Sequence, residues 1–405
     1  MSTMYNKYAE NALRIIREII TKYGPRVSGT RSCSTAAADL EMILAKFCKN
    51  ARHESFAIHP NSLYSIGKIF AVLYCIGLAS VLIGSQLILA IGLLFMLTGT
   101  LYFITNFILY LDTFDKFFKK AEGKNVVGIV EPKDVVKQQV IIVGHHDSSY
   151  IYPFYEKVPL LFPIRLFVPI LLFIFCTGVL LILFLSGISM ANNPVLPDWI
   201  KYILLTGLVF VLPMYGYISK RQSPGAGDNL IGCAIGITLA QFFQQTEKSL
   251  NNTRLVVLLT DGEEAGQKGA KFFIKNNKTL MASVDTIVIN LDSIYDYENL
   301  ALVKRERNGF TKLSEKMVKE IQTVAEGHGH HFKEIVIPFG GGGTDGGQFA
   351  RKGIKTVSII GMPTDILRSE IIFHTMKDMP DKISTKAVST IIEVVSEYIK
   401  KVDLR

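Results

Sequence analysis

The sequence is poor in cysteine and has no paired cysteine motif. Its 405 residues include five scattered cysteines and no Cys-x-x-Cys pair: Cys33, Cys48, Cys75, Cys176 and Cys233. This spacing excludes a legible disulfide framework and a thiolate metal site, and it fits a reducing compartment. The amino-terminal stretch "MSTMYNKYAENALRIIREIITKYG" carries charges throughout and lacks the uninterrupted apolar core of a signal peptide, so we interpret it as an amphipathic helix.

Charged residues are missing from three long stretches. Residues 69–111 contain none, which is long enough for two helices of about 20 residues that each cross a hydrocarbon core about 30 Å thick. Gly84-Ser85-Gln86 is the predicted turn between them. Residues 166–197 and 202–219 are also free of charge. The segment "SMANNPVLPDW" at their junction is the predicted turn of a second hairpin, and its Trp199, the only tryptophan, is a predicted interfacial anchor. Core helices of a large soluble protein are the alternative interpretation.

The basic residues cluster at the outer ends of these stretches. The chain has a net charge of +9 and a mean hydropathy of +0.30. Lys116, Lys119, Lys120 and Lys124 follow one stretch, and Lys220 and Arg221 follow another. The positive-inside rule therefore predicts an integral membrane protein with four spans whose termini and hydrophilic parts are cytoplasmic. No aromatic-interleaved basic module indicates nucleic-acid binding, so the expected partner is the lipid bilayer.

The remaining residues, roughly 280, suffice for one large α/β domain. Apolar strands alternate with helices, and we predict a largely parallel mixed sheet with helices on both faces. Expected helices cover 5–22, 34–49, 229–245, 265–275, 311–326 and 384–401. Expected strands cover 125–131, 139–147, 254–261, 286–292, 334–339 and 355–361. The predicted organisation is a domain formed by 1–63, 116–157 and 220–405, interrupted by hairpins at 64–115 and 158–219.

Three of the predicted strands end in acidic or imidazole groups. They are His145-His146-Asp147, Asp261-Gly262-Glu263-Glu264, and Asp292. Because the carboxyl ends of strands in open α/β sheets meet at one edge, we expect these groups to converge, joined by Asp228 and His374 from loops. Such a cluster requires a cation, and a His/Asp/Glu set without thiolate favours zinc over manganese or cobalt.

The ordered motifs "GHHDS", "GAGDN", "DGEEAGQKGA", "INLD" and "FHT" resemble the zinc aminopeptidase family that includes bacterial leucyl aminopeptidases, glutamate carboxypeptidase and glutaminyl cyclase (metallopeptidase family twenty-eight). The resemblance covers nearly all the hydrophilic sequence, from "GPRVSGT" to the last helix. It implies two zinc ions: His145 and Asp292 ligate one, Glu264 and His374 ligate the other, and Asp228 bridges both.

The same resemblance implies roles for two further carboxylates. Glu263 would be the general base that accepts a proton from the nucleophilic water, and Asp147 would orient the ring of His145. His146 would face away from the metals as a packed or solvated side chain. Read alone, Glu263-Glu264 is also compatible with an exposed acidic loop at a helix N-terminus.

Three further motifs either differ from the family pattern or suggest another kind of site. The stretch "GGGGTDGGQFARKG" matches a late loop of the family, but Gly346 stands where the family often has histidine, which leaves Asp345 as a substrate-binding candidate at the rim of a mobile loop. The loop lacks the lysine of a phosphate-binding loop. "GAGD" resembles an intramembrane aspartyl protease signature, but no predicted span holds a second aspartate. "GHGHH" at 327–331 is interpreted as a solvated loop.

The leading hypothesis is a membrane-anchored dinuclear zinc aminopeptidase, a metallo-exopeptidase that removes N-terminal residues from peptides. Apolar or membrane-derived peptides are the expected substrates, because the second hairpin leaves the sheet edge that carries the site and we expect the active-site mouth near the membrane. Alternatives are a glutaminyl-cyclase-like transferase with one zinc and a non-catalytic membrane scaffold or receptor of this fold.

Overall fold

The computed structural model describes residues 3–158, 161–189, 196–363 and 370–405. The helices, in chain order, are α1 (Thr3–Tyr23), α2 (Arg31–Leu44), α3 (Asn61–Tyr64), α4 (Ile66–Ile83), α5 (Gln86–Tyr102), α6 (Pro153–Lys157), α7 (Phe162–Ser189), α8 (Asp198–Val211), α9 (Ile231–Gln244), α10 (Lys268–Asn276), α11 (Lys278–Ala282), α12 (Glu315–Gly327), α13 (Gly346–Ala350) and α14 (Thr385–Asp403). The strands are β1 (Arg52–Ile58), β2 (Ala121–Val130), β3 (Gln138–His145), β4 (Thr253–Thr260), β5 (Asp285–Ile294), β6 (Ala301–Glu306), β7 (Thr311–Lys312), β8 (Lys333–Val336) and β9 (Lys355–Gly361).

The strands of the described chain form one mixed sheet of order β1-β2-β4-β3-β5-β9-β6-β7, with β8 beside β6. Parallel pairing is limited to the central run β4-β3-β5-β9 and to β6-β8; β1-β2, β2-β4, β6-β9 and β6-β7 are antiparallel. The mixed α/β fold is confirmed, but the expectation of a largely parallel sheet holds only at its centre. The prediction missed β1, β6 and β7. Residues Thr311–Lys312 form β7, although the predicted helix 311–326 included them.

Helices cover both faces of this sheet. Alternate residues of β3 point to opposite sides: Val140 and Ile142 pack in the core with α1, α9 and α14, and Ile141 and Val143 pack with α10 and Phe349 of α13. This alternation follows from the two-residue period of a strand. Each fully buried aliphatic or aromatic side chain contributes roughly 1.5–3 kcal/mol of transfer free energy, so the two cores hold the sheet as a rigid base.

The chain divides into two compact units. The sheet unit consists of Met1–Pro60, Lys119–Ile151 and Arg221–Arg405, and the helical unit consists of Asn61–Phe118 and Tyr152–Lys220. Each unit is therefore discontinuous in sequence.

The helical unit has its own apolar core, formed mainly by α4, α5, α7 and α8. Small residues allow these helices to pack closely: a Cβ on Gly77 would lie 2.8 Å from the sulfur of Met96, and one on Gly92 would lie 2.3 Å from Oγ of Ser80. Gly84, in the left-handed conformation, ends α4 at the predicted turn. Residues 190–195 of the second predicted turn lie outside the described residues.

Five helical segments of the described chain are long and apolar enough to cross a membrane: Ile66–Ile83, Gln86–Ile108, Pro163–Gly187, Asp198–Gly216 and Ala226–Gln244. This is a statement about length and composition only. The fifth segment differs because 94% of its window is buried, against the sheet. We interpret it as a core helix, and four candidate spans remain.

Candidate metal centre

Three of the candidate side chains lie at one edge of the sheet because their strands run parallel. His145 ends β3 and pairs with Thr260 at the end of β4, directly before the Asp261–Glu264 turn. On the other side of β3, Val143 pairs with Asn290 of β5, which places His145 level with Asp292 two residues further on. A bulge follows Asp292 in its pairing with β9, and bulges commonly redirect side chains next to active sites.

Asp228 reaches the same edge through a close approach between a strand and a helix. A Cβ on Gly144 would lie 2.6 Å from the carbonyl carbon of Gly232, so only glycine at 144 lets the start of α9 come this near to β3. Asp228 lies in the irregular turn Ala226–Leu230 directly before α9. The tight contact therefore brings Asp228 against His145.

One group of possible metal ligands consists of His145, Asp228 and Asp292. Nε2 of His145 lies 3.2 Å from Oδ1 of Asp228 and 3.7 Å from Oδ1 of Asp292. All three residues are buried. Their donor atoms surround one point, as the ligands of a single ion do.

A second group consists of Asp228, Glu264 and His374. Nε2 of His374 lies 3.0 Å from Oε1 of Glu264 and 3.1 Å from Oδ2 of Asp228. Asp228 thus offers one oxygen to each group. The structure brings all five predicted ligands together, and Asp228 is the residue that the two groups share.

The donor set suits divalent cations. Nε2 of His145 is buried and, among the described residues, no group forms a well-aligned hydrogen bond with it, although carboxylate oxygens of Asp228, Asp292 and Glu263 lie 3.2 to 3.9 Å away. Several buried carboxylates around two imidazoles leave excess negative charge, which is costly unless a cation compensates it. Imidazole and carboxylate donors without thiolate suit zinc, so the residues fit the group that the sequence predicts.

The electrostatics favour positive charge at the same place. Burial acts to lower the pKa of His374, but the charges of Glu264 and Asp228 raise it to about 10. Burial likewise opposes protonation of His145, and its carboxylate neighbours still raise its pKa well above the usual value. Burial would raise the pKa of Asp228, but its contacts with both imidazoles lower it overall. Positive charge is therefore strongly stabilised between these groups.

Glu263 lies beside the ligands and in neither group. Its Oε2 is 3.9 Å from Nε2 of His145. Burial raises the pKa of Glu263 well above its usual value; His145 opposes the shift, and the nearby carboxylates add to it. Glu263 is thus a carboxylate beside both ligand groups whose oxygens belong to neither of them.

Asp147 holds the turn that carries Glu263 and Glu264. Its two carboxylate oxygens accept the backbone N–H groups of Glu263 and Glu264, each at 3.2 Å. Nδ1 of His145 is 3.4 Å from Oδ1 of Asp147, but its hydrogen bond, at 3.1 Å, is to the backbone oxygen of Asp147. The prediction that Asp147 orients this ring through its carboxylate captured only part of its contacts, because the backbone bonds to the turn cannot be read from sequence.

Asp345 is not at a rim. It is only 1% exposed, and one carboxylate oxygen accepts a hydrogen bond from the hydroxyl of Thr260. Burial raises the pKa of Asp345 to about 7. The glycine-rich loop before it is anchored by Asn308, whose side chain accepts the N–H of Gly340 and whose N–H donates to the oxygen of Gly342. The expectation of an exposed substrate contact at Asp345 is therefore wrong.

Sequence reasoning missed Asp378. Its carboxylate accepts the N–H of Gly227 at 2.7 Å and the N–H of Asp228 at 3.3 Å, which supports the turn of the bridging ligand. Burial and the charge of Asp228 raise the pKa of Asp378 to about 7. Its place four residues after His374 in "FHTMKD" was the available signal, but nothing in that spacing connects it to Asp228.

The remaining histidines lie away from the metal ligands. His146 is buried, and its Nε2 is 2.8 Å from the backbone oxygen of Lys124. In the "GHGHH" segment, His331 is exposed, whereas His330 is buried between Tyr297 and Glu393. A solvated loop describes only part of that segment.

The family model described as Peptidase family M28 matches residues 215–399. This segment contains Asp228, Glu264, Asp292 and His374, while His145 lies upstream of it. Comparison with curated proteins finds no match.

Solved structures with similar folds include exopeptidases and glutaminyl cyclases. The glutaminyl cyclase of Tannerella forsythia is 13% identical, with 97% of this chain and 98% of that chain covered and a TM-score of 0.56. A Zn-dependent exopeptidase from Parabacteroides distasonis is 14% identical, with 97% of each chain covered and a TM-score of 0.55. A leucine aminopeptidase precursor from Bacteroides thetaiotaomicron is 14% identical, with coverage of 97% and 96% and a TM-score of 0.54. These similarities show the fold. Together with the family match they confirm the resemblance predicted from the motifs: residues 215–399 match the model of peptidase family M28, and the fold is that of zinc exopeptidases and glutaminyl cyclases.

Proposed function

We propose that the chain is a membrane-anchored zinc aminopeptidase with two metal ions, a metallo-exopeptidase that hydrolyses the N-terminal peptide bond of its substrates. The observation that carries this proposal is the pair of ligand groups that share Asp228. The match to a peptidase family and the exopeptidases among the similar folds support it.

The five ligand residues would hold two zinc ions in two groups. His145, Asp228 and Asp292 would hold one zinc, and Asp228, Glu264 and His374 would hold the other. Bound zinc supplies Lewis acidity, which makes a water molecule more acidic and polarises the carbonyl of the scissile bond. Because the donor atoms of each group already lie within 4.8 Å of one another, the ligands need little reorganisation to bind.

Glu263 would move the proton. It accepts a proton from the attacking water and delivers that proton to the departing amine, so the carboxylate is regenerated after each cycle. The backbone N–H of Glu263 donates to the carboxylate of Asp147, and this bond holds the turn so that the side chain of Glu263 lies beside the metal ligands. Loss of Glu263 or of a ligand would be expected of a non-catalytic scaffold with this fold, and all six residues are present.

The helical unit is proposed to lie in the lipid bilayer. Only 22 to 50% of the windows of its four candidate spans are buried within the protein, and large apolar side chains such as Leu94 and Val209 are exposed. The exposure of so much apolar surface to water is unfavourable in free energy, whereas contact of the same surface with lipid is favourable. Lysine and arginine at the outer ends support, by the positive-inside rule, a cytoplasmic location for the sheet unit and both termini as part of this proposal. Apolar peptides, including membrane-derived fragments, are the proposed substrates, and nucleic acid is not a proposed partner.

A glutaminyl-cyclase-like acyl transfer is the second candidate. Glutaminyl cyclases from several bacteria share this fold with the chain at 12 to 14% identity. A cyclase would transfer the side-chain acyl group of an N-terminal glutamine to the α-amine of the same residue, with release of ammonia, and would need one zinc. The presence of two complete ligand groups, where a single zinc needs only one, favours the two-metal aminopeptidase.

The test is an assay of the full chain, purified in detergent, on aminoacyl reporter substrates and on a peptide with N-terminal glutamine. Aminopeptidase activity that is lost with chelator, restored by zinc and absent in Glu263→Gln supports the proposal. Cyclisation without peptide hydrolysis, at one zinc per chain, would replace it with the second candidate. Hydrolysis that persists with chelator or in Glu263→Gln would overturn the mechanism.

A further inference from the structure

Arg26 is an arginine buried completely inside the sheet unit. It lies in the loop between α1 and α2, in the segment "GPRVSGT", and its exposure is 0%. Burial lowers the pKa of Arg26 from its usual value, yet arginine starts so high that the guanidinium remains charged near neutral pH. A buried charge is expensive unless hydrogen bonds compensate it, so the contacts of this side chain are informative.

The guanidinium donates four hydrogen bonds, all to backbone carbonyl oxygens. Nε donates to His146 at 2.9 Å and Nη2 donates to Gly225 at 2.8 Å. Nη1 donates to Gly24 at 2.9 Å and to Pro224 at 3.0 Å. One side chain thus joins three separate chain segments. A planar fork with five donors can do this, whereas the three donors of lysine radiate from a single atom.

Two of these segments carry ligands of the same candidate metal site. His146 lies directly after His145, and Pro224-Gly225 lead into the turn of Asp228. The loop of Arg26 is itself joined to the first segment, because its N–H donates to Oγ of Ser148 at 2.8 Å and its oxygen accepts the N–H of Ser148 at 3.0 Å. The four side-chain bonds therefore connect the backbone beside His145 to the backbone before Asp228.

The fit around the guanidinium is tight. Gly225 has a φ of +66°, and a Cβ there would lie 2.5 Å from Cβ of Ser148 and 3.2 Å from Nη2 of Arg26. Only glycine lets the turn approach the guanidinium and Ser148 this closely. A side chain at position 225 would therefore collide with Ser148 and crowd the guanidinium of Arg26.

We propose that Arg26 is a positioning residue that sets the spacing of His145 and Asp228, and through it the affinity of the metal site formed with Asp292. The inference rests on the metal centre of the proposed function. Its specific content is selectivity: Arg26 bonds the backbone directly beside His145 and before Asp228, whereas it reaches the Glu264 turn only indirectly, through the carboxylate of Asp147. Loss of the guanidinium should therefore weaken the first site more than the site of Glu264 and His374.

The experiment compares Arg26→Lys with a matched control, Asp403→Asn, in the purified full chain. Asp403 is also a buried charged residue that holds backbone, because its carboxylate accepts the N–H groups of Asn251, Asn252 and Thr253 at the opposite end of β4. Zinc alone is titrated into the metal-free proteins in competition with a chromophoric chelator, and thermal unfolding of the metal-free proteins is followed in parallel. Thermal unfolding measures the general cost of each substitution.

The expected result is two zinc ions in the wild type and in Asp403→Asn, and a loss of about 10- to 100-fold in affinity at one of the two sites in Arg26→Lys. Affinities in Arg26→Lys equal to those of the control, or equal losses at both sites, would overturn the proposal. A wild type that binds no zinc would overturn the proposed metal centre itself. This outcome is distinguishable from failure of the Arg26 proposal, because it is observed in the wild type alone.

A second variant covers the case in which Arg26→Lys does not fold. Ser148→Ala removes one acceptor of the Arg26 loop and leaves the guanidinium in place. We expect the same selective weakening, smaller in size, with the affinity of the other site unchanged. Unchanged affinity at both sites in this folded variant would overturn the proposal.

Discussion

Nε2 of His374 lies 3.0 Å from Oε1 of Glu264, although 110 positions separate the two residues in the sequence. Neither residue lies on a strand: Glu264 follows β4, and His374 lies in the loop after β9. Both side chains lie at the same edge of the sheet. Together with Asp228 they form the second ligand group. Removing His374 should therefore affect one metal site and leave the other.

The first prediction concerns this pair. His374→Ala should retain one zinc per chain, because His145, Asp228 and Asp292 keep their contacts. The measurement is zinc content by elemental analysis after dialysis against micromolar zinc. His330→Ala is the matched control, since His330 is also buried but contacts Tyr297 and Glu393. Two zinc ions in His374→Ala would contradict the assignment of this ligand.

The second prediction concerns the bridging ligand. Asp228→Ala should lose high affinity at both sites, because its two oxygens lie 3.2 Å from His145 and 3.1 Å from His374. Activity should fall together with zinc content. Asp296→Ala, on the same sheet unit but outside both ligand groups, should retain both ions. A single retained zinc in Asp228→Ala would show that Asp228 serves only one site.

The third prediction separates catalysis from metal binding. Glu263→Gln should lower kcat by about 10²- to 10⁴-fold, the usual contribution of a general base, while zinc content stays at two. The amide keeps the size of the side chain but cannot accept the proton. Glu326→Gln, on the exposed end of α12, is the control. A loss of zinc in Glu263→Gln would instead make Glu263 a ligand.

The fourth prediction concerns pH. Glu306 is buried and accepts hydrogen bonds from Thr344 and Ser358, and burial raises its pKa from 4.5 to about 7. Between these values the folded protein holds a proton that the unfolded chain releases, so the free energy of unfolding falls as pH rises through this window. Its stabilising effect is complete below pH 4.5 and lost above about pH 7.

This pH effect is tested by comparing wild type and Glu306→Gln in chemical denaturation from pH 4.5 to 7.5, with chelator present so that metal binding does not contribute. The glutamine stays neutral, so the wild type should lose stability relative to the variant by on the order of 3 kcal/mol across the window. Parallel pH profiles for the two proteins would show that Glu306 ionises normally.

The fifth prediction concerns metal removal. Zinc binds the folded site and lacks a comparable site in the unfolded chain, so it should stabilise the protein by about 2.7 kcal/mol when free zinc is 100 times Kd. The melting temperature should rise with zinc in the wild type. Asp228→Ala should show no such rise, and an equal rise in both proteins would place the stabilising zinc elsewhere.

Local sequence signals were sufficient for much of the fold and of the ligand set. The apolar strand before His145 and the "TIVINL" strand before Asp292 predict their own conformation, because a short continuous apolar run rich in β-branched residues is a strong local signal. β6, by contrast, alternates weakly in "ALVKRE", and two of its neighbours in the sheet, β8 and β9, come from distant parts of the chain. Its pairing depends on tertiary contacts, which a local pattern does not contain.

The sequence by itself determined which residues could bind metal, since residue types at strand ends and their order along the chain require no coordinates. Only the tertiary structure decided what holds them. The carboxylate of Asp147 supports the Glu263-Glu264 turn, Asp378 supports the turn of Asp228, and Asp345 lies buried behind the site instead of at its rim. The physical reason is that these are hydrogen bonds to backbone groups and contacts across the sheet. Such bonds depend on distance and angle in space, and backbone N–H groups are the same in every sequence.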